Sequence, residues 1–262
     1  AAAYKHVPMQ EIFPWNAVNT NINGTKYLAE FSIRFDVEHF VLVSTDKAVR
    51  PVNIMGATKR VAEQIVQSIN KKGKTVFIAV RFGNVIGSSG SVIPIFKKQI
   101  EKGGPVTITH PEMTRYFMSI PEASRLILQA GAVGKQSQIF LLDMGDPIKI
   151  KDMAFDLIKL SGFEPEEDIP IIYTGLRPGE KLYEELYGGS EKILNTNHDK
   201  LMVLDDPGLN KSWNFLTEQI NEVVSSAKEL NSELIKSCLK KMIPDYKPQT
   251  EIHSDEYPED LG

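Results

Sequence analysis

Two rhythms of apolar and polar residues alternate along this chain. The bursts FVLVST (40–45), TVFIAVRF (75–82), QIFLLD (138–143) and IPIIYT (169–174) are continuous, β-branched and nearly free of charge. Such runs read as short strands buried on both faces. PVTIT (105–109) reads as one more short strand. Between the bursts the period changes to that of a helix. Residues 56–71 set Val61, Ile65 and Ile69 on one stripe, and 92–102, 121–133 and 150–161 repeat the pattern. Pro94 and Pro121 fall in first turns, where a missing N–H removes no helical hydrogen bond. Strand and helix taking turns predict an α/β fold around a parallel sheet.

The N-terminal 35 residues read as helical, with an interruption near Pro14. A helix over about residues 18–33 contains Gly24, which costs it ~1 kcal/mol against alanine and points to close packing. Tyr183 and Tyr187 are expected on one helix face, as packing residues. Two late helices, 212–228 and 229–241, end at MIPDYKPQ, and the acidic, proline-bearing stretch 247–262 reads as a disordered tail.

Composition narrows the classes. A chain of 262 residues with 42% hydrophobic and 24% charged residues can bury a sizeable core. A net charge of −4 leaves no electrostatic footprint for nucleic acid. Cys238 is the sole cysteine, so no internal disulfide forms, and a reducing compartment is expected. No apolar run approaches the ~18–20 residues that span a bilayer, and AAAYKHVPMQE is not a secretion signal. His6, His39, His110, His198 and His253 lack metal-ligand spacing, so no metal is assigned.

The candidate chemistry begins in STDKAVRPVNIMGATK (44–59). Thr45, Asp46 and Lys47 sit where a buried strand ends, the place where open α/β sheets put their ligand crevice. Elimination of water needs one group for the departing hydroxyl and one for a carbon-bound proton. Adjacent Asp46 and Lys47 suit that division if their pKa values are set apart. They equally suit a strand-to-loop salt bridge. Met55 and Lys59 are spaced for one helix face. Lys59 there suits a cofactor ribose, or simply solvent. RFGNVIGSSGS (81–91) offers backbone N–H groups among small residues. Arg115 in THPEMTRYF and Arg177 with Glu180 in LRPGEKLYEE suit a diphosphate, or surface ion pairs.

Taken in order, STDKAVRPVNIMGATKR, VRFGNVIGSSGSVIPIF, PVTITHPEMTRYFMSIPEAS and GLRPGEKLYEEL resemble the nucleotide-sugar 4,6-dehydratases of bacterial polysaccharide biosynthesis. These belong to the extended short-chain dehydrogenase/reductase superfamily, and the likeness runs from AAAYKHVP to about IPDYKPQ. The resemblance implies 4,6-dehydration of UDP-N-acetylglucosamine with NAD or NADP. Hydride leaves sugar C4, the 4-keto group acidifies C5, water departs across C5 and C6, and hydride returns to C6. By resemblance, Asp46 protonates the C6 hydroxyl, Lys47 is the base at C5 and Lys59 binds the nicotinamide ribose. Ala1, Ala2, Ala3, Lys5, Asn21, Ser44, Arg81 and Gly83 would line the cofactor. Asn84, Ser91, Val92, Ile93 and Pro94 would touch the UDP-sugar, and Arg115, Arg177 and Glu180 would hold its nucleotide end.

Met55 stands where the superfamily usually carries a tyrosine base. A thioether is no useful proton acceptor. The long, membrane-anchored subgroup is similar here, with NxMGATK, which leaves Thr45 as relay and Asp46 as acceptor of the C4 hydroxyl proton. Two other readings stay open: a UDP-hexosamine epimerase (at C4, or a dehydratase inverting C5), and a non-catalytic UDP-sugar-binding module. The family's opening strand with a GxxGxxG turn is not found in this sequence. The chain therefore reads as a C-terminal portion of a longer, cytoplasmic protein, anchored to the inner membrane only by an upstream segment, and forming a homo-oligomer. The expected layout is a partial Rossmann-type parallel sheet over 1–86, with 114–143 returning to it. Residues 87–113 and 144–246 would mostly form a substrate-binding part.

Overall fold

The computed structural model describes residues 2–69, 73–88, 90–189, 191–205 and 211–248. In chain order the first elements are α1 (Val7–Ile12), α2 (Pro14–Ala17), a π-helical segment (Val18–Gly24) and α3 (Thr25–Arg34). Then come β1 (His39–Val43), α4 (Ile54–Ile69), β2 (Val76–Arg81), β3 (Asn84–Val85), α5 (Val92–Glu101), β4 (Val106–Ile108), β5 (Thr114–Arg115) and β6 (Phe117–Met118). The rest are α6 (Ile120–Val133), β7 (Ile139–Leu142), β8 (Ile148–Lys149), α7 (Ile150–Leu160), β9 (Ile171–Tyr173), β10 (Lys192–Asn195), β11 (Leu201–Asp205), α8 (Trp213–Lys228) and α9 (Ser232–Met242). Gly24 ends the π segment, so the helix predicted over 18–33 changes hydrogen-bond register there instead of running through.

The main sheet has the order β1-β2-β7-β11-β10. β1, β2 and β7 are parallel, with Val41 beside Ile78 and Val80 beside Phe140. One face packs against α4, α8, α9 and the π segment, burying Ile22, Val61, Ile65, Phe77, Leu216, Ile220 and Leu239 completely. The stripe read from residues 56–71 is therefore the inner face of α4. The other face packs under α6 through Ile78, Val80, Leu126, Ala130 and Phe140. Ser119 starts α6 by accepting a hydrogen bond from the Glu122 N–H. A separate core joins α5 and α7 to the parallel pair β4 and β9, around Phe96, Ile108, Ile150 and Ile158. The result is a mixed α/β layer carrying a smaller lobe.

Three expectations differ from the structure. Residues 192–205 return to the main sheet as a hairpin whose second strand pairs antiparallel with β7. Residues 213–242 pack beside α4 instead of joining the cap. The polar stretch NTNHDK between β10 and β11 masks that hairpin in the sequence. Residues 181–189 are not helical, and Tyr183 is 54% exposed, so neither it nor half-exposed Tyr187 packs on a helix face. Order also reaches into the first residue of the stretch expected to be disordered: the Lys247 N–H meets the Pro51 carbonyl at 3.1 Å. Residues 249–262 and Ala1 lie outside the described residues. Among the described residues no helix is long and apolar enough to cross a membrane.

Candidate active site

The centre of the site is the turn that follows β1. The Ser44 N–H donates to the Val80 carbonyl at 2.7 Å and the Asp46 N–H to that of Phe82 at 3.0 Å. The turn thus continues the β1–β2 register before closing as a 3₁₀ turn over Asp46–Ala48. The Thr45 hydroxyl donates to Asp46 Oδ1 at 2.9 Å. Lys47 Nζ lies 3.1 Å from the same oxygen and 3.3 Å from Glu184 Oε1. Asp46 is 0% exposed, yet its second oxygen, Oδ2, has no hydrogen-bond partner among the described residues. A buried carboxylate oxygen without a donor is costly and marks a place for an incoming proton donor. Gly83 keeps that approach narrow: a Cβ there would stand 3.2 Å from Asp46 Oδ2 and 3.0 Å from Tyr116 Cβ. Burial pulls the Lys47 amine down, but Asp46 and then Glu184 outweigh it and the net displacement is upward.

Helix α4 supplies the second wall. Asn53 starts it by accepting the Gly56 N–H at 2.7 Å while donating to the Gly179 carbonyl at 2.8 Å. The loop that carries Arg177 and Glu180 is thereby tied to the helix that carries Lys59. Met55 is 4% exposed and Lys59 is 7% exposed. A solvated lysine is excluded. Lys59 Nζ donates to the Val43 carbonyl at 2.6 Å, at the C-terminal end of β1. Burial pulls this amine down to about 8, with partial compensation from Glu63.

Three residues expected at the cofactor, Arg81, Ser44 and Asn21, are bonded to protein partners. Arg81 is wholly buried and forks between Glu63 at 2.8 Å and Glu191 at 2.9 Å. The Ser44 hydroxyl donates to Glu63 at 2.6 Å. Burial alone would raise the Glu63 carboxyl, but Arg81 and then Arg60 hold it down to about 2. This network clamps β1, β2 and α4 behind the turn. Asn21 is likewise committed: it receives the Tyr4 N–H at 3.0 Å and donates to the Tyr4 carbonyl and the Thr58 hydroxyl. It pins the N-terminal segment at Tyr4 to Thr58 of α4; Ala2 and Ala3 are exposed.

A cleft of about 280 Å³ opens beside the turn. Lys5, Asn84, Ser91, Val92, Arg115, Arg177 and Glu180 line it, so the structure gathers these sequence-selected residues in one place. Lys5, expected at the cofactor, faces this cleft, and Ile93 and Pro94 are not among its lining residues. Lys47 faces an adjoining pocket of about 120 Å³ that shares Arg115, Arg177 and Glu180 with the cleft. The Arg115 guanidinium is held at the junction by the carbonyls of Lys181 (2.8 Å) and Leu182 (3.0 Å). His6, Asn53 and Glu184 belong to the site without having been selected from sequence. Glu184 stood inside the GLRPGEKLYEEL motif, but nothing in its spacing separated it from its acidic neighbours.

A nicotinamide dinucleotide fits these residues at one end. The buried Lys59 amine at the sheet's C-terminal edge suits the ribose next to the nicotinamide. No glycine-rich GxxGxxG turn for the pyrophosphate occurs in the sequence.

Residues 1–206 match the family model described as polysaccharide biosynthesis protein. The chain is 63% identical over 191 residues to the probable polysaccharide biosynthesis protein EpsC of Bacillus subtilis, covering 73% of this chain and 32% of EpsC. It is 39% identical over 195 residues to a UDP-glucose 4-epimerase of Rickettsia rickettsii, covering 73% of this chain and 55% of that protein. In fold it is similar to DesIV, a dTDP-glucose 4,6-dehydratase of Streptomyces venezuelae solved with NAD and TYD. The TM-score is 0.65 at 20% identity, covering 72% of this chain and 63% of that one. The chain spans about a third of the length of EpsC and about half that of the epimerase.

Proposed function

We infer the function from a premise the comparisons supply: the chain belongs to the polysaccharide biosynthesis protein family, is similar in sequence to a UDP-glucose 4-epimerase and is similar in fold to a dTDP-glucose 4,6-dehydratase. Within that family we propose that it carries the proton-transfer and sugar-nucleotide-binding part of a UDP-N-acetylglucosamine 4,6-dehydratase using NAD or NADP. The product is a UDP-4-keto-6-deoxy-N-acetylhexosamine for surface polysaccharide. One observation supports this above the rest: Asp46, with a buried free oxygen, shares its other oxygen with the Lys47 amine. That pair has what elimination needs, a proton donor and a proton acceptor side by side on one turn.

The nicotinamide supplies reversible storage of the hydride from C4. The chain's own residues do the rest. The Thr45 hydroxyl and Asp46 take the proton of the C4 hydroxyl, a task that the Met55 thioether cannot perform. Lys47, in its deprotonated form, takes the proton from C5 once the 4-keto group has acidified it. Asp46 returns its proton to the C6 hydroxyl, which leaves as water. Lys59 holds the nicotinamide ribose. Lys5, Asn84, Ser91 and Arg177 bind the sugar nucleotide in the cleft, with Arg115 and Glu180 at its junction with Lys47. A plain C4 epimerase moves a proton only at O4 and has no use for a second acid–base group at Lys47.

The test uses the full-length protein with bound cofactor, UDP-N-acetylglucosamine and mass spectrometry of the product. Loss of one water is expected. Asp46→Asn should lower the rate by about 10²-fold or more, the usual worth of a general acid. Full turnover in Asp46→Asn overturns the assignment.

A further inference from the structure

Glu184 is the most unusual carboxylate near the site. It is buried, and Oε1 alone serves two cations, Lys47 Nζ at 3.3 Å and Arg115 Nε at 3.8 Å. Its other oxygen, Oε2, is buried with no partner among the described residues. It enters from the irregular 181–189 segment, whereas Asp46 lies on the same turn as Lys47. The charged groups around the amine are Asp46 on its own turn, Glu184 and Lys181 on that segment, and Arg115 on β5.

We propose that Glu184 is the positioning residue of Lys47: its carboxylate anchors the amine against the pocket wall and sets the amine's charge for proton exchange at the sugar. The proposal rests on the dehydratase reading above. Asp46 cannot do this alone. It has to give up a proton and take one during turnover, so its hold on Lys47 changes within each cycle. Glu184 takes no part in those transfers, and its Oε1 lies 3.3 Å from Nζ. When the C5–H bond breaks, an N–H bond forms at Lys47 and the electron pair passes into the 4-keto group. The ammonium created at that moment is stabilised by Glu184, which acts through Lys47 and does not touch C5 itself. Two anchors also fix Nζ in direction, which a single contact to a flexible four-carbon side chain does not.

The decisive measurement is the titration of Lys47 itself. The full-length protein is reductively methylated with ¹³C-formaldehyde, and the Lys47 signal, assigned by Lys47→Arg, is followed against pH. Glu184→Gln removes the charge and keeps the shape. It should move the midpoint down by about one pH unit or more, and Glu184→Asp should restore most of it. In parallel, deuterium wash-in at C5 is followed against pH in D₂O. Its acid limb should move down with the amine. A midpoint unchanged in Glu184→Gln overturns the proposal, and so does a C5 profile that stays in place while the amine shifts. A role confined to stability would lower the melting temperature without moving either curve. If the wild type reduces its cofactor but neither loses water nor exchanges at C5, the dehydratase reading fails. The amine titration then separately accepts or rejects the anchoring of Lys47.

Discussion

The carbonyl oxygen of Lys47 occupies the space where a side chain at position 56 would begin. A Cβ built on Gly56 overlaps that oxygen and stands 2.9 Å from the carbonyl carbon. The first turn of α4 therefore rests directly on the backbone of the turn that carries Asp46 and Lys47, and only glycine allows the contact.

Gly56→Ala is expected to push the two backbones apart, since neither obstructing atom belongs to a side chain that can rotate away. The substitution should destabilise the fold by about 1–3 kcal/mol, the usual range for overpacking, or more. It should also separate Asp46 and Lys47 from Met55 and Lys59. Urea midpoints give the first effect. Weakened cofactor binding at a temperature where the variant remains folded gives the second.

The Glu63 network predicts a defined acid response. Its carboxyl sits at about 2 in the folded protein against an ordinary 4.5. The unfolded chain binds the proton more tightly, so the stabilisation is complete above about pH 5 and is lost as pH falls toward 2. The linkage amounts to about 3 kcal/mol. Glu63→Gln should remove that slope. At neutral pH it should cost about 3–5 kcal/mol, because Arg81 is left half-paired in the core. Denaturant titrations from pH 6 to pH 2 on both proteins check this.

Lys59 predicts a slope of the same sign in a separate window at high pH. Its folded value of about 8 lies below the ordinary 10.5. Below pH 8 both states are protonated and the folded protein bears the cost of a buried charge. Between pH 8 and 10.5 the unfolded state binds more protons, so this group raises stability as pH rises. The wild-type-minus-Lys59→Met difference in unfolding free energy should change across that window and stay flat below pH 7.

Asn21 joins the N-terminal segment to α4 through three hydrogen bonds. Asn21→Ala leaves the buried Thr58 hydroxyl and the Tyr4 backbone without this partner, at a cost of about 2–3 kcal/mol. The expected signature is faster proteolysis near Lys5 and weaker binding of a UDP-sugar, measured by calorimetry. Unchanged affinity would remove Lys5 from the sugar-nucleotide site.

The sequence by itself determined the strand and helix alternation, the inner stripe of α4 and the placement of Asp46 and Lys47 at a strand end. These follow from local periodicity, which is visible wherever burial repeats with the geometry of one element. It also carried the motifs that mark the family. Only the tertiary structure decided that Lys59 is buried, that Arg81 and Ser44 belong to an ion network, that β10 and β11 join the sheet, and that Glu184 faces Lys47. Each of those depends on a partner far away in the chain. A carboxylate's role is set by what it meets across space, and no spacing along the chain records that meeting.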